Sequence, residues 1–392
     1  MEEWKEYKLG DVCSISSSKR IFANEYQLSG IPFYRGKEII EKQKGAQITN
    51  ELYISEERFN EIKDKYGTPH KGDMLLTSVG TLGIPYIVKD EKFYFKDGNL
   101  TWFYNFKGIN NIYLYYWFLS PAAQYLINAK AIGSTQKALT IETLKKFDIL
   151  LPTIDVQDQI ASILKSLDDK IEVNRRINEN LEQQAQALFN EVLMDEKLPR
   201  NRVLKDYAYI NPTRSLKKGE IARYIDMSSL PTKGSFPSDW VDKPYNGGMK
   251  FQNGDTLMAR ITPCLENGKT AYISFLQKDE TAFGSTEYIV MSPHEGMPSE
   301  MFYFLARNED FVSYAVAHMN GSSGRQRVSA SDIENYIMPD IPILLIEQFG
   351  MKANAIMETI KNKSLESRRL ATLRDTLLPK LMSGELKVND ID

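Results

Sequence analysis

The sequence predicts an α+β fold: two similar mixed α/β domains separated by two long antiparallel coiled-coil helices, arranged as a pseudo-twofold internal repeat. Three observations predict it. Short anchors recur in the same order in both halves. A heptad pattern closes each half, and in front of each pattern short β-like runs surround one aromatic-rich helical segment.

The anchors come first. "GDMLLT" at Gly72 is answered by "GDTLMA" at Gly254, 182 residues on, and "YYWFLS" around Leu119 by "FYFLAR" around Leu305, 186 on. "GSTQK" at Gly133 is answered by "GSSGRQR" at Gly321, 188 on. "TIDVQDQIASIL" from Thr153 has its echo in "PILLIEQFGMKA" from Pro342; Gln159 and Gln348, like Leu188 and Leu377, stand 189 apart. The offset drifts and then freezes. Surface loops in the front of each half tolerate insertion, whereas the back of each half keeps its length. The expected boundaries are 1–152 for the first domain, 153–197 for the first long helix, 198–342 for the second domain, 343–382 for the second long helix and 383–392 for a tail.

The front parts read as mixed structure. "GIPFYRG", "MLLTSVG", "IPYIVK" and "LTWFYNF" in the first half, and "ARYIDM", "DTLMARI", "AYISFL" and "EYIVMS" in the second, have the length and β-branched or aromatic content of strands. "NIYLYYWFLSPAAQYLI" and "SEMFYFLARNEDFVSYAV" each read as one helical segment, either a buried core helix or a stacking platform for bases.

In the back part, steps of three and four link Leu164, Leu167, Ile171, Asn174, Asn178, Leu181, Ala185, Leu188 and Val192. The matching places in the second copy hold Ala353, Ile356, Ile360, Lys363, Ser367, Leu370, Arg374, Leu377 and Leu381, a weaker seam. So narrow an apolar stripe is buried by a second helix, and a helix of thirty-odd residues is roughly 45–50 Å long, a molecular spacer. Pro379 predicts an earlier end for the second helix. Asn174 and Asn178 either fix the register of the pair or face solvent at a junction.

Composition narrows the chemistry. The 392 residues are 42% hydrophobic and 26% charged, with a formal net charge of −3. Residues 1–150 hold 20 Lys and Arg against 18 Asp and Glu, and residues 201–345 hold 15 against 17, so contact with nucleic acid requires locally placed cations or charge shared with partners. A polar start and no long apolar run point to a cytoplasmic protein. Cys13 and Cys264 are isolated, and His70, His294 and His318 lack ligand spacing, so no metal is expected. "GKT" at Gly268 lacks the first glycine of a phosphate-binding loop, whose place is Pro263. "NPT" at Asn211 lacks the second proline and the aromatic of an amino-methyltransferase. Asp340 with Glu385 and Lys387 lacks the strand context of a nuclease. The expectation is a chain that is not an enzyme and holds no cofactor of its own.

Two polar loops recur at matched places. One follows the Gly-Asp turn, "TSVGTLGIPYI" or "ARITPCLENGKTAYI"; the other follows the aromatic segment, "GSTQKALT" or "GSSGRQRVS". Ser and Thr donate to phosphate, while Gln, Lys and Arg reach base edges. The same residues also make solvated turns.

"WKEYKLGD" from Trp4 to Asp11, "GIPFYRGKEI" from Gly30 to Ile39, the Gly-Asp-x-Leu turns, the Gly-Ser loops and the Leu-Pro or Ile-Pro entry through Gln159 or Gln348 into a long helix resemble the specificity subunit of type I restriction-modification systems. The resemblance implies two target-recognition domains, each reading half of a split double-stranded DNA sequence. It implies two adenine-methyltransferase subunits as partners, bringing S-adenosylmethionine, and restriction-translocase subunits using ATP and magnesium in the full complex. By position it places DNA contact on Gly133, Ser134, Thr135, Gln136 and Lys137 and on Ser322, Ser323, Arg325, Gln326 and Arg327. Arg35, Lys37, Ser78, Thr81, Arg260, Thr262 and Lys269 extend the set. Loop residues shared between the halves are expected to hold the backbone, and those that differ to read bases. The rival readings are a coiled-coil adaptor binding only proteins, and a methyltransferase or nuclease with unrecognised motifs.

Overall fold

The structure, a computed structural model, describes residues 4–43, 45, 48, 51–133, 137–322 and 324–390. The chain divides into two units, residues 1–169 with 370–392 and residues 170–369.

In the first unit the "GDMLLT" anchor becomes the strand Met74–Thr77, buried at all four positions because both faces are apolar. It sits in an antiparallel sheet of order Ser14–Ser16, Leu100–Tyr104, Met74–Thr77, Pro85–Ile87. Gly72 takes φ +93° in the turn before it, and the Asp73 carboxylate accepts the His70 N–H at 2.8 Å and the Trp102 Nε1–H at 2.9 Å. The turn is thus tied to the neighbouring strand. A second sheet pairs Leu52–Ile54, Ile31–Tyr34 and Tyr94–Phe95, the last two in parallel. Lys5–Lys8 lies antiparallel to Asp148–Leu151.

The second unit repeats this plan. Its sheet of order Ala208–Ile210, Tyr288–Pro293, Thr256–Ala259, Thr270–Tyr272 has the same antiparallel succession, with the second Gly-Asp anchor again just before the buried central strand. A second sheet of order Val241–Pro244, Ile221–Ile225, Ala282–Gly284, Met249–Phe251 contains the same parallel pair and one further strand. Arg202–Val203 pairs with Ile337–Met338.

The aromatic segments correct one expectation, since each is two helices. In the first unit Asn111–Leu119 ends at Ser120, whose hydroxyl accepts the Ala123 N–H at 3.3 Å and caps Pro121–Lys130. Proline at the first position has no N–H to continue the previous helix. In the second unit Glu300–Arg307 gives way to Glu309–Ala317, and Asn308 accepts the Phe311 N–H at 3.1 Å. Tyr113, Tyr116, Trp117, Phe118, Tyr303 and Phe304 are buried, so these rings are core and offer no stacking surface.

The long helices are Ile154–Leu193 and Ile343–Ser383, 40 and 41 residues. At about 1.5 Å per residue each is roughly 60 Å long, longer than the seam predicted. Pro379 does not end the second helix, which runs through it. Proline removes one hydrogen bond near the terminus, while Leu378, Leu381 and Met382 of the same turn are buried and hold it in place.

Within the first unit, Leu164 of the first helix shares a core with Leu378 and Leu381 of the second. Farther along the first helix and farther back on the second, Asp168 Oδ1 accepts Arg374 Nη1 at 2.6 Å. Residue numbers rise on one helix as they fall on the other, so the pairing is antiparallel. Asp168 Oδ2 also accepts the Tyr116 hydroxyl at 2.6 Å, which ties the pair to the domain core. Arg374, a flaw in the heptad pattern, is thus a cross-link. Within the second unit Phe189 packs on Phe349 with ring centroids 5.8 Å apart, and the antiparallel sense is the same. Here the asparagines fix register: buried Asn174 donates to Glu366 Oε2 at 3.0 Å and Ser367 Oγ at 3.3 Å, and Asn178 donates to Ser364 Oγ at 3.1 Å.

Candidate nucleic-acid interface

The two recurring loops meet in each unit, and backbone hydrogen bonds hold them. In the first unit the Gly80 N–H donates to the Lys137 carbonyl at 3.1 Å, Leu139 N–H to Ser78 at 2.9 Å and Ser78 N–H to Asn99 at 2.8 Å. In the second, Thr262 N–H donates to Gln326 at 3.0 Å, Val328 N–H to Arg260 at 3.0 Å and Arg260 N–H to Glu287 at 3.0 Å. Isolated bridges Val79 to Ala138 and Ile261 to Arg327 complete the match. Glycine opens the second loop in both, Gly133 at φ +101° and Gly321 at φ +128°. The left-handed backbone there explains why both copies spell glycine.

One frame therefore carries two sets of side chains. In the first unit Arg35, Lys37, Thr81 and Asn99 line an open cavity of about 670 Å³. Lys37 is exposed, with its ammonium 3.6 Å from Glu41. Arg35 donates through Nε to Glu38 Oε2 at 3.1 Å, and Glu38 also accepts the Arg35 N–H at 2.8 Å. Burial pushes the Glu38 carboxyl up, but these bonds from Arg35 outweigh it and hold it below the usual carboxylate range. Thr81, Gly133 and Lys137 are exposed.

Ser78 corrects the expected set. It is buried, and its hydroxyl bonds Thr101 Oγ1 at 2.6 Å and the Leu76 carbonyl at 3.1 Å, so it serves the sheet and faces no ligand. Lys269 is half-buried, and its ammonium donates to the Met227 carbonyl at 2.8 Å. Thr262 lies in the loop pairing, its hydroxyl 3.9 Å from Met319 Sδ. Ser134, Thr135, Gln136 and Ser323 lie outside the described residues.

In the second unit Ser322 and Arg325 are exposed at the loop tip and Gln326 is half-buried. Behind them Arg327 donates from Nε to Glu287 Oε2 at 2.8 Å and from Nη2 to Oε1 at 2.7 Å, while Nη1 donates to the Arg325 carbonyl at 3.0 Å. Arg260 Nε stands 4.0 Å from the same carboxylate. The Arg327 guanidinium holds Glu287 below the usual carboxylate range. Glu287 and Asn99 escaped the sequence reading. Both lie at strand ends distant from the loops, and the 188-residue repeat offset that relates them was the available signal.

Asn211 and Asp340, which stand in the motifs set aside from the sequence, both have partners within the fold. Asn211 accepts the Val290 N–H at 2.9 Å and so extends a strand pairing, and Asp340 pairs with Arg202 at 3.1 Å. Among the described residues no group of three or more His, Cys, Asp or Glu is placed to hold a metal ion, and no helix is long and apolar enough to cross a membrane.

Residues 1–183 match the family described as "Type I restriction modification DNA specificity domain". The MjaIX specificity subunit of Methanocaldococcus jannaschii, a type I restriction enzyme component, is 25% identical over 100% of this chain and 95% of that protein. A type I specificity subunit of Haemophilus influenzae, S.HindORF215P, is 38% identical over 41% of this chain, a match spanning 39% of that protein's length. The crystal structure of the type I S subunit from M. genitalium shares the fold, with a TM-score of 0.61 over 97% of this chain and 96% of that one at 15% identity. The chain is thus similar to a type I DNA specificity domain over residues 1–183, and over its whole length to the specificity subunits of type I restriction enzymes.

Proposed function

We propose that the chain is the non-catalytic DNA sequence-reading subunit of a type I restriction-modification complex in the cytoplasm. The loop frame of each unit reads one half of a split double-stranded target, and the long helices set the gap between the halves. Two adenine-methyltransferase subunits dock on the chain, and restriction-translocase subunits join the full complex. The chain itself holds no cofactor; S-adenosylmethionine arrives with the methyltransferase.

The observation that carries this reading is the duplicated frame with divergent side chains. Identical backbone bonds hold the loops in both units, while the residues they present differ in charge and reach. A scaffold needs no such divergence, whereas a reader of two different half-sites does.

The test is co-expression with its methyltransferase partner, followed by mapping of N6-methyladenine. The expected result is one bipartite motif with a fixed gap; a continuous motif overturns the reading. Binding by the assembled complex should weaken steeply with salt, and salt-insensitive binding, or none, favours the protein-only adaptor.

A further inference from the structure

The Arg327, Glu287 and Arg260 cluster is a built polar device in the second unit, and its counterpart in the first unit is absent. The matched backbone bonds align Arg260 with Ser78, Glu287 with Asn99 and Arg327 with Ala138. None of these three matched positions in the first unit holds an arginine; the clamped guanidinium near Asn99 there is Arg35, which comes from a different element and is held by Glu38.

The hydrogen count on Arg327 is informative. A guanidinium has five N–H donors in one plane. The Nε donor and one on Nη2 are taken by Glu287, and one on Nη1 by the Arg325 carbonyl. One hydrogen remains on each terminal nitrogen, with no acceptor among the described residues. The side chain is 38% exposed, so this two-pronged donor is accessible and held in orientation by the carboxylate behind it. Glu287 also touches the second arginine's field, which leaves the three-residue cluster with net charge of one sign, positive.

Two parallel donors at the end of a clamped, planar group match the paired O6 and N7 acceptors that guanine shows in the major groove; no other base presents two acceptors there. We propose that Arg327 reads a guanine in the half-site of the second unit, with Glu287 as the residue that positions it. The inference rests on the DNA-reading function proposed above. Because Ala138 stands at the matching place, the first unit has no guanine requirement from this position.

The experiment uses the chain in complex with its methyltransferase partner. Each guanine of the mapped motif is replaced in turn by 7-deazaguanine, which lacks the N7 acceptor, and duplex affinity is measured. For the native complex, one guanine in one half-site should show a loss of about tenfold or more. Arg327→Met keeps the length of the side chain without any donor. The ratio between normal and 7-deaza duplex at that guanine should fall to one, every other ratio being unchanged. Glu287→Ala should lower the same ratio with Arg327 in place, and adding it to Arg327→Met should change nothing further. If Arg327→Met leaves every ratio intact, or Arg327→Ala weakens all duplexes equally, Arg327 is a phosphate or structural contact and the inference is wrong. A native complex without any DNA motif instead removes the underlying function, and the inference with it.

Discussion

Asp168 is bound by two side chains at once, the Arg374 guanidinium and the Tyr116 hydroxyl, each at 2.6 Å. Removing it leaves the buried Tyr116 hydroxyl and the half-buried Arg374 guanidinium without this acceptor, which costs more than the bond was worth. Asp168→Ala should lower the unfolding free energy by about 2–3 kcal/mol in urea titration, and Asp168→Ala with Arg374→Met should recover part of that loss. Cys13 offers a second residue-level check. It is buried, its thiol donates to the Leu9 carbonyl at 3.3 Å, and burial pushes that thiol up to about 12. The reactive thiolate is therefore nearly absent at pH 8, so iodoacetamide should leave Cys13 unmodified in the native chain and label it in denaturant, as read by peptide mass mapping. Neither the role of Asp168 nor the inward turn of Ser78 was legible beforehand. Whether a polar side chain faces protein or water depends on partners distant in the chain.

At the scale of elements, the seam carries its specificity in polar residues. Asn174 and Asn178 donate across the helix pair, yet their Oδ1 atoms are buried without a partner. That combination trades stability for register. Asn174→Leu with Asn178→Leu should raise the guanidinium midpoint by the equivalent of about 1–2 kcal/mol, while light scattering should show more self-association in the variant than in the native chain. The heptad spacing made the long helices legible, but the break within each aromatic segment was not read from it. Pro121 and the Ser120 and Asn308 caps were visible signals there, outweighed by the apolar run on both sides. Pro379 misled in the opposite direction, because a breaker near a terminus matters less than the buried leucines around it.

At the scale of the whole molecule, the proposed spacing function makes a mechanical prediction. Inserting one heptad into each long helix, at positions that face each other in the seam, preserves the apolar register and adds about 10 Å of helix. Methylation mapping should then return the same two half-sites with about three more base pairs between them, at about 3.4 Å per step. An unchanged gap would show that the helices do not set it. The formal charge of −3 belongs to this scale as well. A duplex-reading protein without a basic surplus depends on partners for phosphate neutralisation, so the chain alone should bind DNA far more weakly than the complex with its methyltransferase.

Duplication, the α+β composition of each half and the two heptad seams follow from the residues alone, because period and order are one-dimensional properties that survive without coordinates. The pairing of Ser78 with Thr101, the clamp of Glu287 on Arg327 and the use of Arg374 as a cross-link are decided only when the chain folds. Each depends on which donor meets which acceptor across 23 to 206 residues of sequence, and a buried polar group takes whatever partner the packing brings within about 3 Å. Local pattern therefore specifies the elements and their repetition, while the tertiary contacts settle which of the many polar side chains are structural and which remain free to meet a ligand.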